Sequence, residues 1–329
     1  MSYGSNLGRQ GIRHALKRRL PSLTPGTPSR AIHESNSGIS SVNADEIGFF
    51  SRLSQQWWDE HGEFSFLHKM NPIRMQFIRE KMLEIAREEQ GEEAAVDMQQ
   101  GANLLKGLDV VDVGCGGGLL SESLARLGGR TLGIDASESN ISIASLHAAA
   151  DPRLSSPPPG SSGSLTYQYT SAEDLLQGVQ RFDVVCSMEV LEHVDNPAGF
   201  LSSCAELLKP GGHLFLSTIA RTPLSYALTI LAAEHILRKV TVGTHSYSKY
   251  VNSSELVEFF HKYRSPSSKR TWITRTYEHG LPARTEAEAR GMVYLPWKGA
   301  WTLAPRMGSA FGAATACNYL FWVKKPKSD

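Results

Sequence analysis

Between residues 108 and 218 the chain alternates two hydrophobic periods. Short β-branched and apolar runs, the pattern of strands, fall near 108–113, 130–134, 166–170, 182–187 and 212–218. Between them, apolar residues recur at helical spacing near 118–127, 138–149, 172–177 and 197–208. This alternation predicts an α/β fold, a parallel sheet with right-handed crossovers and helices on both faces. Lys209-Pro210-Gly211-Gly212 stops a helix and turns the chain into the fifth strand. Upstream, residues 45–58 (DEIGFFSRLSQQWW) open with acids and continue at helical spacing, so a helix is expected. A second is expected over 72–90, with Pro72 in its first turn. Downstream, 271–278 and 317–325 read as strands.

The remaining stretches break these periods. Residues 91–103 (GEEAAVDMQQGAN) are polar and read as a loose insertion. Residues 151–164 (DPRLSSPPPGSSGS) read as a disordered surface loop, not a domain boundary, because the strand pattern resumes after them. Residues 264–270 read as another such loop. Residues 223–240 are apolar over most of one face, with Glu234, His235, Arg238 and Lys239 late, and are too short and charged to span a bilayer. Such a helix either lies in a membrane interface, apolar face down, or covers the site as a buried lid. The first 33 residues hold Arg9, Arg13, Lys17, Arg18, Arg19 and Arg30 and no acid. Leu7, Ile12, Leu16 and Leu20 line one side of a helix that Pro21, Pro25 and Pro28 would break. This is the pattern of a mitochondrial transit peptide, a disordered basic tail being the alternative. Residues 1–44 are therefore set apart from a folded domain over 45–329.

Composition narrows the rest. A chain of 329 residues makes one large domain or two small ones. A net charge of +1 gives no reason to expect a nucleic-acid partner. Cys115, Cys186, Cys204 and Cys317 are scattered without a C-x-x-C pair, so neither a zinc site nor a disulfide framework is indicated.

The candidate chemistry begins at residues 110–137 (VVDVGCGGGLLSESLARLGGRTLGIDAS), a strand, glycine loop, helix, strand and acid in order. Such a unit binds a nucleoside-containing cofactor at the C-terminal edge of a parallel sheet, with Asp135 suited to ribose hydroxyls. Gly114 and Gly116 let backbone N–H groups approach a ligand. Asp112, two residues before the first glycine, would repel a pyrophosphate but suits a cofactor that carries an amino group. S-adenosylmethionine has an ammonium and a sulfonium, and the loop resembles that of class I methyltransferases. The fourth strand exits through FDVVCSMEVLEHVDNP, 182–197. Met188 suits an adenine face. Glu189, Glu192 and His193, at i, i+3 and i+4, share one face of a helical turn. They suit a divalent cation, or His193 is a general base, or the turn only shapes the pocket. Glu173, after the third strand, suits either the adenine amino group or the dipole of its own helix.

Further blocks carry a closer resemblance. WWDEHGEFSFLHKMNPIRMQFI (57–78), the glycine loop, MEVLEHV (188–194), LKPGGHLFLST (208–218) and AAEHILRKVTVGTHSYSKYVNSSEL (232–256) occur in that order. The set resembles the ubiquinone-biosynthesis O-methyltransferases, over roughly residues 45–260. The resemblance implies a Rossmann-like class I methyltransferase fold, with a mostly parallel seven-stranded sheet and an antiparallel last strand. It implies cofactor contacts at Arg74, Gly114, Asp135 and Met188, although Arg74 otherwise reads as a solvated helix residue. It implies Mg2+ at Glu189, Glu192 and His193, with Glu189 and His193 as the catalytic pair. It further implies a catechol substrate with a polyprenyl tail, the matrix face of the mitochondrial inner membrane, and a multi-protein ubiquinone-biosynthesis complex. The other readings are a methyltransferase for a soluble phenol and a non-catalytic scaffold subunit.

Overall fold

A computed structural model describes residues 40–100, 104–155, 163–237, 240–266, 268, 270–277, 280–306 and 312–327. The expected transit segment lies outside them, apart from residues 40–44, as do 156–162 of the expected loop.

Helix α1 spans Ala44–Leu53, where Asn43 accepts from the Glu46 N–H and Asp45 and Glu46 occupy the first turn, and a 3-10 turn, Ser54–Gln56, extends it. Helix α2, Ser65–Gln90, starts seven residues ahead of the expected position, so Pro72 lies inside it. An internal proline removes a helical hydrogen bond. Burial of Met70, Arg74, Phe77, Ile78, Lys81 and Ile85 along one face outweighs that loss. Phe64, stacked on Trp57 at 3.9 Å, sets the start. Residues expected as a loose insertion instead form α3, Glu92–Gln100, with Glu92 and Glu93 at its N-terminus and Ala95 buried.

The alternating unit follows as β1 (Asp109–Val113), α4 (Leu119–Arg126), β2 (Arg130–Asp135), α5 (Glu138–Ala150), a short turn α6 (Pro152–Ser155), β3 (Ser164–Tyr169), α7 (Ala172–Leu176), β4 (Phe182–Met188), α8 (Pro197–Glu206) and β5 (Leu208–Ile219). The chain continues through α9 (Pro223–Ser225), a π-helical stretch (Tyr226–Ile236), a 3-10 turn (Tyr247–Lys249), α10 (Ser253–Lys262), β6 (Ala287–Leu295), β7 (Ala300–Leu303) and β8 (Asn318–Lys324). The strands form one sheet in the order β3-β2-β1-β4-β5-β8-β6-β7. β1 to β5 pair in parallel, and β8 runs antiparallel between β5 and β6.

The described sheet thus has eight strands where seven were expected. The strand expected at 271–278 is absent from the described residues, where Thr271 and Thr276 make only single bridges to Arg264 and Pro282. The strands beyond β5 and β8 are β6 and β7.

Period-two alternation divides the core between the two faces. Val110, Val184 and Phe215 pack with Phe77 and Ile78 of α2 on one side. Val111, Val185 and Leu214 pack with Leu201 of α8 and Phe260 of α10 on the other. The expected helix over 223–240 is mostly π-helical, with Leu228 49%, Leu231 38% and Ile236 74% exposed. A fully buried lid is therefore not what this segment forms; Arg238 and Lys239 lie outside the described residues. Among the described residues no helix is long and apolar enough to cross a membrane.

Candidate active site

The C-terminal ends of β1, β2 and β4 open into a cavity of about 580 Å3, lined at this end by Val113, Gly114, Gly116, Asp135 and Met188. The loop after β1 is tied to β2, since the Gly114 and Cys115 N–H groups both donate to the Ile134 carbonyl. Gly114 and Gly116 have φ of 74° and 54°, a left-handed backbone that favours glycine. Trp57 lies flat against this loop, and a Cβ on Gly116 or Gly117 would overlap its ring. Trp57 Nε1 donates to Asn140 at 3.1 Å and Trp58 Nε1 to the Gly117 carbonyl at 3.0 Å. Both tryptophans of the W-W-D block therefore hold the glycine loop.

Asp135 accepts from the Gly116 N–H at 2.9 Å, the Ser137 N–H at 2.8 Å and Asn140 Nδ2 at 3.3 Å. Burial raises its pKa against those hydrogen bonds. Asp112 is buried, accepts from Ser121 Oγ at 2.6 Å, and is pushed up to about 6 by burial. It is not among the cavity-lining residues. Arg74 is 4% exposed, with Nη2 3.7 Å from Glu189 Oε1. Its Nε and Nη2 have no hydrogen-bond partner. Burial lowers its pKa, opposed by the charges of Glu189, Asp112 and Glu192. Glu173 lines the cavity and accepts from the Ser41 hydroxyl.

Past β4 the chain bends sharply. Glu189 has φ of 56°, the one left-handed non-glycine among the described residues, and its N–H donates to the backbone oxygen and the hydroxyl of Ser217. The three expected metal ligands each have a different partner. Glu189 faces Arg74, Glu192 accepts from Thr218 Oγ1 at 2.7 Å, and His193 Nδ1 pairs with Glu46 Oε2 at 3.1 Å. Among the described residues no three acids, cysteines or histidines are grouped so as to hold one metal ion. The expectation of Mg2+ at Glu189, Glu192 and His193 therefore finds no support in this geometry. Glu192 carries a pKa well above the usual carboxylate range, first through burial and then through the charge of Glu189.

Glu46, which the sequence offered only as a helix-start acid, stands behind His193 and also receives Lys249 Nζ at 3.1 Å. Burial disfavours its charge, but hydrogen bonds and charge from His193 and Lys249 outweigh burial and hold its pKa below the usual value. A second histidine, His245, lines the same cavity with Nδ1 on Glu234 at 2.8 Å.

A methyltransferase-domain model matches residues 74–263. A mitochondrial ubiquinone biosynthesis O-methyltransferase from Schizosaccharomyces pombe is 40% identical over 288 residues, 88% of each chain. A ubiquinone biosynthesis O-methyltransferase from Cereibacter sphaeroides is 38% identical over 82% of this chain and 94% of its own. Another from Brucella ovis is 42% identical over 67% and 82%. The chain belongs to the ubiquinone biosynthesis O-methyltransferase family.

The fold is accordingly the class I methyltransferase fold that the glycine loop pointed to, with one strand more than expected. Four of the five sequence blocks that resemble this family meet at one cavity, while the fourth, 208–218, contributes no lining residue. Trp57 and Phe64 come from the first, Gly114 and Gly116 from the second, Met188, Glu189, Glu192 and His193 from the third, and His245 from the last. Lys249 of the last block reaches Glu46 behind His193. Glu46, Lys249, Glu234 and Ser41 were missed as site residues. His245 and Lys249 lie within the 232–256 block that carries the family resemblance, but a carboxylate 147 residues away from His193 in sequence leaves no local signal.

Proposed function

We propose that this chain transfers a methyl group from S-adenosylmethionine to a catechol oxygen of a polyprenylated ubiquinone precursor. One observation carries the reading: a single cavity runs from the glycine loop and Asp135 to the His193–Glu46 pair. The residues at its first end fit the cofactor. Arg74, buried beside the cavity-lining Glu189 and not itself a lining residue, has two N–H donors without hydrogen-bond partners, which suit a carboxylate, and a guanidinium fork matches that group's geometry. Asp135 at the end of β2 suits the ribose, Met188 the adenine face, and Glu173 the adenine amino group. Asp112 stands behind the loop and adds negative charge near the ammonium end. When bound, S-adenosylmethionine supplies an electrophilic methyl group.

The protein's task is the nucleophile. A neutral phenol, with a pKa near 10, reacts poorly. With Glu46 ionised, His193 Nδ1–H donates to it, which leaves Nε2 as the base that takes the phenol proton. Lys249 keeps Glu46 charged and in place. Phe50, Trp57 and Phe64 line the cavity and exclude water around the oxygen. Holding oxygen and methyl in line at near-attack distance supplies much of the rate.

Exposed apolar residues at the cavity mouth, Leu224, Leu228 and Leu237, support a polyprenyl tail and attachment to a lipid surface. The mitochondrial relative supports a mitochondrial placement; the matrix face of the inner membrane rests on the family resemblance and on these exposed apolar residues. Membership of a multi-protein assembly rests on the family alone. The test is transfer of labelled methyl to a short-tailed catechol, which His193→Ala should abolish while cofactor binding stays intact. No transfer by the native chain would overturn the reading. The same assay with chelator reads the metal separately: activity lost and then restored by added magnesium would revive it.

A further inference from the structure

His193 is not the only imidazole in the cavity backed by a carboxylate. His245 repeats its arrangement on another element. Its Nδ1 pairs with Glu234 Oε1 at 2.8 Å, and Glu234 is 1% exposed. The same carboxylate accepts from the Gly243 N–H at 2.8 Å and the His245 N–H at 2.9 Å, so three contacts fix it in place behind the ring. An Nδ1–H donated to Glu234 leaves His245 Nε2 as a lone-pair acceptor. The two rings, 6.4 Å apart between centroids and tilted by 37°, line one cavity.

We propose that the two pairs, Glu46–His193 and Glu234–His245, form a receptor for two adjacent hydroxyl groups on one ring. A hydrogen bond of about 2.8 Å on each side is short enough for one small diol to engage both imidazoles across this gap. His193 receives the hydroxyl that reacts. His245 receives its neighbour and keeps that oxygen protonated and away from the methyl donor. The inference rests on the catechol reading above and deepens it, because it makes His245 a specificity residue. A site built to accept a hydroxyl proton penalises a ligand that lacks one, since the half-buried acceptor on His245 is then covered without a partner. A single methylated product has lost one of the two donors. It therefore binds less well than the substrate, which favours its release after one turnover.

The probes are a short-alkyl catechol and the matching phenol without the second hydroxyl. Binding and methylation of both are measured on the full chain. The native protein should favour the catechol by about 10- to 100-fold, the range expected for one such hydrogen bond. His245→Ala should bring the ratio close to one without changing cofactor affinity. His245→Asn is the safer variant, because its amide nitrogen can stand in for Nδ1 on Glu234 while Nε2 is absent. It too should lose the discrimination, at an unchanged melting temperature. Equal binding of the two probes by the native protein would overturn the inference, whatever the variants do. So would a native-like ratio in His245→Asn, with the methylation reading left standing. If the native chain methylates neither probe, the methylation reading fails, and preferential, His245-dependent binding of the catechol would still uphold the diol receptor.

Discussion

Arg74 is a charged side chain, 4% exposed, whose Nε and Nη2 have no hydrogen-bond partner. Buried donors are almost always paired, so a helix guanidinium that has only the Glu189 charge at 3.7 Å and no hydrogen bond from Nε or Nη2 reads as a group awaiting a ligand. Arg74→Lys keeps the charge but loses the fork. It should weaken S-adenosylmethionine binding by about 1.5–3 kcal/mol, the range for charge-assisted hydrogen bonds. Calorimetry that finds the affinity unchanged would remove Arg74 from the site. A second residue-scale effect concerns stability. His213 on β5 accepts from Trp322 Nε1 at 3.3 Å, and burial, aided by the charge of Lys324, lowers its pKa from 6.5 to about 4. The folded state therefore refuses a proton that the unfolded chain takes up, so stability falls as pH drops from about 6.5 toward 4. At pH 5 the loss relative to pH 7 should be about 2 kcal/mol by that linkage. His213→Asn, which keeps an acceptor for Trp322, should flatten this limb in denaturant titrations at the two pH values. A limb as steep as the native one would assign the acid sensitivity elsewhere.

At the scale of elements, the π-helical stretch Tyr226–Ile236 separates two jobs. Leu228 lines the cavity, while Leu231 and Ile236 do not and are exposed. If this stretch rests on lipid, replacing Leu231 and Ile236 with Glu should abolish flotation with anionic liposomes. Activity on a short-tailed catechol and the melting temperature should hold, because neither side chain is buried. Liposome binding that survives the double change would place the membrane contact elsewhere. This element was legible as apolar and helical, but its π geometry was not. The β1–α4–β2 unit was read closely because glycines, the two periods and Asp135 all lie within one short segment. β6 and β7 were missed for an opposite reason. Glu288 and Arg290 interrupt the apolar alternation of β6, and what makes them tolerable lies far away in sequence. Glu288 pairs with Lys81 of α2 at 2.5 Å, and Arg290 with Glu80 of the same helix. A helix contact made across the fold thus hides a strand that its own residues describe poorly. Conversely Trp272 and Ile273, adjacent and both buried, made 271–278 look like a strand although it takes no place in the sheet.

At the scale of the whole molecule, the first described residues bear on where the working chain must begin. Ser41 is 2% exposed; its carbonyl accepts from the Asp195 N–H at 2.9 Å, and its hydroxyl donates to Glu173. Asn43 caps α1 and donates to Asp195 Oδ1 at 2.7 Å. These contacts seat α1, and α1 carries Glu46 to His193. The fold therefore starts before the position 45 at which helix acids first appear in the sequence. If the basic N-terminal segment is removed on import, cleavage must leave Ser41 in place. Mass spectrometry of the protein from mitochondria should find a mature N-terminus between about residues 20 and 40. A chain cut to begin at Asp45 loses Ser41 and the Asn43 cap, worth about 1 kcal/mol by itself. It should retain the cofactor contacts of β1 and β2 while losing turnover, because Glu46 is no longer held behind His193. A mature protein that begins after Ser41, with full activity, would refute both the boundary and the role given to α1.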